Sequence, residues 1–154
     1  IDTGRRQALK TGGSFAVVVA AVSAGVLPAS AFADWNKAAF DAKSLNDVVK
    51  ALGGSAVEKS GDIAITAPDI AENGAVVPIA VASKIAGTQS IAILVEKNPY
   101  ALSAQFDIPA GTEANVGTRV KMGQSSNVHA VVKANGKYYV ATKEVKVTLG
   151  GCGG

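Results

Sequence analysis

A single cysteine, a single histidine, one methionine and one tryptophan are spread over 154 residues, and aromatic side chains make up only 5% of the chain. Each scarcity closes a class of function. One Cys with one His falls short of the four ligands of an ordinary zinc site, and one Cys cannot form a disulfide within the chain. A serine or cysteine triad would have to be built on His129 alone. Charge is sparse as well, 18% in all, with 15 Lys plus Arg against 12 Asp plus Glu. Arg5, Arg6, Lys10 and Asp2 all precede residue 34, which leaves 12 positive and 11 negative charges on the other 121 residues. Nucleic-acid binding needs a dense basic face, so no such partner is expected. No catalytic group, metal or permanent cofactor is expected either. The length suits one domain with a real core.

Hydrophobic runs are also short. Residues 15–27 form an apolar stretch of thirteen positions broken only by Ser23 and Gly25. A membrane-spanning helix needs about 20 apolar residues, so no membrane anchor is expected. The run follows Gly4-Arg5-Arg6-Gln7-Ala8-Leu9-Lys10 and leads through Pro28 to Ala31-Phe32-Ala33. A basic start, a short apolar centre and a small-residue end describe a secretory signal cut after Ala33, although Ala29-Ser30-Ala31 also fits a cut. Paired Arg5 and Arg6 with Leu9-Lys10 resemble a twin-arginine signal, with departures at Gly4 and Ala8, where Ser or Thr and Phe are usual. The expected location is the bacterial periplasm, an oxidising compartment. Residues 1–33 are therefore read as a signal peptide and kept out of the fold.

After the leader, residues 34–52 read as mostly helical. Ser44-Leu45-Asn46-Asp47 outlines a capping box. Val48, Val49 and Leu52 share one side, and Gly53-Gly54 is a stop. Trp35, Ala39 and Phe40 are expected in an earlier turn on the sheet edge, with Trp35 as a packing anchor. From Ile63 the period changes to two, and strands are predicted over 63–67, 76–83, 90–96, 101–107, 115–122, 128–134 and 137–149. Asn135-Gly136 is the clearest turn, because both residues tolerate the positive φ of a type I′ hairpin. The prediction is a mainly β protein: an immunoglobulin-like antiparallel β-sandwich over 34–149, preceded by a short helical segment. Pro78 has no N–H for a ladder and is placed on an edge strand or at a bulge. His129 is assigned to a strand surface. Met122 and Tyr138-Tyr139 are assigned to packing or an interface rather than to a cofactor.

The last strand carries the functional signal. Val145, Val147 and Leu149 face one way and Glu144, Lys146 and Thr148 the other, until the pattern stops at Gly150-Gly151-Cys152-Gly153-Gly154. Four glycines remove every side chain that could pack or restrict the backbone, so ordering the segment would cost entropy without return. Residues 150–154 are therefore expected to be a flexible arm, on which Cys152 reaches on the order of 10 Å from Leu149. The thiol has no fixed basic neighbour, and the carboxylate of Gly154 disfavours the thiolate. Such a sulfur is suited to carrying a group on which other proteins act.

The run from Val145 into Gly-Gly-Cys-Gly-Gly, together with Ile65-Thr66-Ala67-Pro68-Asp69-Ile70-Ala71-Glu72-Asn73-Gly74, closely resembles the SoxY family. These are the sulfur-carrier subunits of periplasmic thiosulfate oxidation. The resemblance implies an immunoglobulin-like subunit in a heterodimer with SoxZ. It also implies covalent sulfur adducts, S-thiosulfonate and persulfide, on Cys152. SoxAX would conjugate thiosulfate, SoxB release sulfate and SoxCD oxidise the remaining sulfane. Two other readings compete with it. A ubiquitin-like thiocarboxylate carrier also ends in Gly-Gly, but it needs cytosolic activation and no export signal. A periplasmic interaction subunit would instead use Cys152 for a disulfide-linked dimer, without carrier chemistry.

Overall fold

The computed structural model describes residues 35–148. Two short helices come first, α1 (Lys37–Asp41) and α2 (Leu45–Ala51). Asn36 caps α1 by accepting from Ala39 N at 3.0 Å. Ser44 caps α2: its Oγ accepts from Asp47 N at 3.2 Å and donates to the Asp47 carboxylate at 2.6 Å. The expected N-cap forms, with Asp47 taking the Ser44 hydroxyl in place of the backbone N–H of a full capping box, and Gly53 ends the helix at a φ of +93°.

Nine strands follow: β1 (Glu58–Lys59), β2 (Ile63–Thr66), β3 (Ile70–Ala71), β4 (Val77–Ser83), β5 (Thr88–Val95), β6 (Leu102–Asp107), β7 (Asn115–Val120), β8 (Ser126–Ala134) and β9 (Lys137–Val147). The larger sheet runs β1-β9-β8-β5-β6, with β3 also on β9, and the smaller runs β2-β4-β7. Asn135 (φ 50°) and Gly136 (φ 76°) turn β8 into β9 as a primed hairpin. The seven predicted strands are all present, within two residues at most ends. The sandwich is not wholly antiparallel, however. The two-residue strands β1 and β3 both pair parallel with β9.

Alternation along the strands fills the space between the sheets with Ile79, Val81, Ile91, Ile93, Val128, Ala130, Val132 and Val145, all essentially inaccessible to solvent. The larger sheet is also covered on part of its outer face. There Ala92, Leu94, Val131, Tyr138 and Val140 pack with Ala39, Val48 and Val49 of the helices. Burial on both faces explains why β5 reads Ile91-Ala92-Ile93-Leu94-Val95 without a polar break. Seventeen Val, Ile and Leu side chains are buried among the described residues, and at roughly 1.5–3 kcal/mol each their burial is the dominant favourable term.

Three expectations need correction. Pro78 lies on β4, the central strand of the smaller sheet, and not on an edge or at a bulge. Lys84 N donates to Asp62 O on the β2 side at 2.8 Å, and counting back by twos the nitrogen of Pro78 faces that side too. There β2 has already ended, with Thr66 opposite Ala80, so no ladder bond is forfeited. The helices, for their part, lie on a sheet face rather than a sheet edge, and Trp35 is 63% exposed instead of serving as a buried anchor. Ala39 and the α2 valines fill that role.

Candidate functional site

Cys152 and the glycines at 150, 151, 153 and 154 lie outside the described residues, as do Arg5 and Arg6 of the leader. The structure describes the strand end that leads to Cys152. β9 is eleven residues long, and its last turn of alternation is held on both sides.

On one side runs the segment 69–72. Lys146 N donates to Asp69 O at 3.0 Å, Thr148 N to Ala71 O at 3.1 Å, and Thr148 Oγ1 to Glu72 O at 3.3 Å. Lys143 secures the start of that segment, donating to Ala67 O at 2.6 Å and standing 3.1 Å from Asp69 Oδ1. On the other side the β8 ladder stops at Ser126 opposite Val145. One residue earlier, Ser125 substitutes for a strand. Its Oγ accepts from Val147 N at 2.8 Å and donates to Val147 O at 3.4 Å. Gly74 closes the wrap, because a Cβ there would stand 2.5 Å from Met122 O and 2.8 Å from Val147 Cγ1. Only a glycine lets the segment lie this close, and Gly74 O accepts from Met122 N at 2.7 Å. The stretch Asp69–Gly74 noted in the sequence is thus the collar of the last strand. Ser125 was missed, since a lone serine in a Gly-Gln-Ser-Ser run reads as an ordinary turn.

The remaining candidates do not assemble a reactive centre. His129 Nδ1 is 2.8 Å from Thr142 Oγ1, and its Nε2 is 3.6 Å from Glu96 Oε2. Glu96 also accepts from Asn127 Nδ2 at 2.8 Å. Burial pushes the His129 pKa below its ordinary 6.5, against the opposing pull of the Glu96 carboxylate. This is a hydrogen-bonded structural histidine, more buried than a simple surface position. Met122 is 2% exposed and Tyr138 5% exposed, and both are core residues. Tyr138 Oη donates to Leu52 O, which holds the end of α2 to the sheet. Among the described residues no three His, Cys, Asp or Glu side chains are placed to hold a metal ion. No helix among them is long and apolar enough to cross a membrane. A shallow groove on the smaller sheet, bordered by Thr66, Pro78, Ala80, Gly117 and Arg119, contains one charged group and no acid–base pair.

Fold and site together define a class: an immunoglobulin-like β-sandwich whose final strand is fixed at its end and leads to a glycine-flanked cysteine. The model of the family described as sulfur oxidation protein SoxY matches residues 48–152, a span that ends on Cys152. The chain is also similar to the sulfur carrier protein SoxY from Chlorobium limicola f thiosulfatophilum. The two share 39% identity over 67% of this chain and 96% of that one, with a TM-score of 0.59. A chain from a structure of T cell activation by the bacterial superantigen toxic shock syndrome toxin-1 matches at 12% identity over 56% of this chain and 99% of that one, with a TM-score of 0.40, which is too low to bear on the fold or the site. No significant sequence relative was found among curated proteins. The chain belongs to the SoxY family of sulfur oxidation proteins.

Proposed function

We propose that this protein is a periplasmic sulfur carrier that holds intermediates of thiosulfate oxidation on the Cys152 thiol and presents them to separate enzymes. The observation that carries the reading is the anchoring of the end of β9, by Ser125 at Val147 on one side and by Ala71 and Glu72 at Thr148 on the other, four residues before Cys152. A fixed root with a glycine-rich extension places one sulfur within about 14 Å of a defined point. The body needs no catalytic group of its own, which agrees with a histidine engaged in structural hydrogen bonds.

The chemistry then divides among partners. Conjugation joins the thiol to the sulfane sulfur of thiosulfate, giving an S-thiosulfonate, one proton and two electrons. The electrons pass to the haem of a SoxAX-type cytochrome. Water then splits the S-thiosulfonate into sulfate, leaving as hydrogen sulfate, and a persulfide on Cys152; this is the SoxB step. SoxCD, where present, would oxidise the sulfane that remains. SoxZ is the proposed structural partner, and the twin-arginine leader with Arg5 and Arg6 the proposed export route.

The alternative, a disulfide-linked interaction subunit, predicts a dimer through Cys152 and no adduct. Intact-mass measurement of protein isolated from thiosulfate-grown cells separates the two. The functional test is thiosulfate-dependent cytochrome reduction with the reconstituted components. Cys152→Ser is expected to keep the fold and abolish turnover, and wild-type turnover by that variant refutes the carrier reading.

A further inference from the structure

Four large hydrophobic side chains are exposed among the described residues; of these Ile70, at 58%, lies in the collar of β9 and Val76, at 49%, two residues after it. The arrangement runs against burial. In the two-residue strand β3 the smaller apolar residue, Ala71, is turned in at 5% exposure, while the larger Ile70 is turned out. Ile70 sits beside Lys146 in the β3–β9 pairing, two residues before the last described residue of the strand. Val76 follows Gly74, whose missing Cβ lets that turn lie against Val147. The main-chain bonds of the collar need neither side chain, so stability does not account for their size or their exposure.

Reach decides what can meet them. Because Ser125 holds Val147 and Ala71 holds Thr148 from the opposite side, reach is counted from Thr148. Cys152 lies four residues on, about 14 Å at full extension. An enzyme that takes the sulfur into a pocket recessed from water uses most of that length inside itself, so its mouth must rest on the rim from which the arm departs. We propose that this rim, centred on Ile70 and Val76, is the docking surface for the enzymes that act on Cys152, and that the matching contact at the pocket mouth is apolar. The inference rests on the carrier reading and adds to it the surface that enzymes sharing one arm must use. The glycines contribute almost no contact area, so affinity has to come from the rim. A shared apolar contact also lets successive enzymes exchange without demanding one charge pattern.

The test uses the full mature protein in complex with SoxZ, with SoxAX and thiosulfate, and follows formation of the Cys152 adduct by mass; loss of SoxZ binding in the variants overturns the inference. Ile70→Ser and Val76→Ser are each expected to lower kcat/KM for loading on the order of tenfold, mainly through KM, with a larger loss in the double variant. Reaction of the thiol with a small chromogenic disulfide, which needs no docking, should keep its wild-type rate in every variant. Asn115→Glu, at the far end of β7 from Val120, is the control and should load normally. Normal loading of the double variant overturns the inference and leaves the carrier reading standing. A parallel fall in small-molecule reactivity overturns it as well, since the change would then lie in the arm. Failure of the wild type itself to take up sulfur refutes the carrier reading and this surface with it.

Discussion

Replacing Ser125 with Ala tests whether the arm has a fixed root. Among the described residues this hydroxyl continues the β8 side of the ladder past Ser126, and it holds both polar groups of Val147, N–H at 2.8 Å and C=O at 3.4 Å. Ser125 is half-buried, so water can reach part of the vacated site and the loss is that of an ordinary neutral hydrogen bond, about 1 kcal/mol. That corresponds to roughly a fivefold increase in the open population at this point. Hydrogen exchange followed residue by residue is the assay. The Val147 amide should exchange about fivefold faster in Ser125→Ala, while Val145, buried and paired with Ser126, should not change. Fraying by one residue lengthens the tether by about 3.5 Å, so the arm gains reach and loses a defined origin. Ser125→Thr keeps the hydroxyl and should restore wild-type protection. An unchanged Val147 rate in Ser125→Ala refutes the clamp, as does acceleration spread equally over all of β9, which would mean global destabilisation instead.

Two further perturbations probe the body. Burial holds the His129 pKa below its unfolded value of 6.5, so the unfolded chain binds the proton more tightly and stability, fully present above that pH, declines as pH falls through it toward the lowered folded value. His129→Gln should flatten the dependence of the urea midpoint on pH between about 7 and 5; an unaltered slope would show that other groups carry it. A Cβ at Gly54 would lie 2.7 Å from Tyr138 Cδ2 and 2.7 Å from Val49 Cγ1, both on buried side chains that cannot retreat. Gly54→Ala should therefore cost about 1–3 kcal/mol in urea unfolding, whereas Gly61→Ala, with nothing within 4 Å, should be neutral. Equal midpoints for the two variants would contradict the packing of α2 on the sheet.

Several features were legible in the order of residues because their physics is local. Ser44 caps a helix through groups three residues away. Asn135-Gly136 adopts positive φ at both positions because few other pairs do so cheaply. Period-two runs of Val and Ile become strands because one face is buried. Other features depend on which distant segments come together. β1 and β3 are two residues each, too short for any periodicity to show, and they exist only because the edge of β9 offers partners. Pro78 can occupy a central strand because β2 stops short of it, a matter of register that no local pattern encodes. Ser125 looks like any turn serine until it is set against Val147, 22 residues away. The exposure of Ile70 follows from which side of β9 the collar takes. The chain's own order thus specified the strands and the position of the glycine-flanked cysteine, through short-range propensity and pattern. Long-range pairing decided where the arm is rooted and what surrounds its exit, because hydrogen-bond partners far apart in sequence are chosen by the assembled sheet.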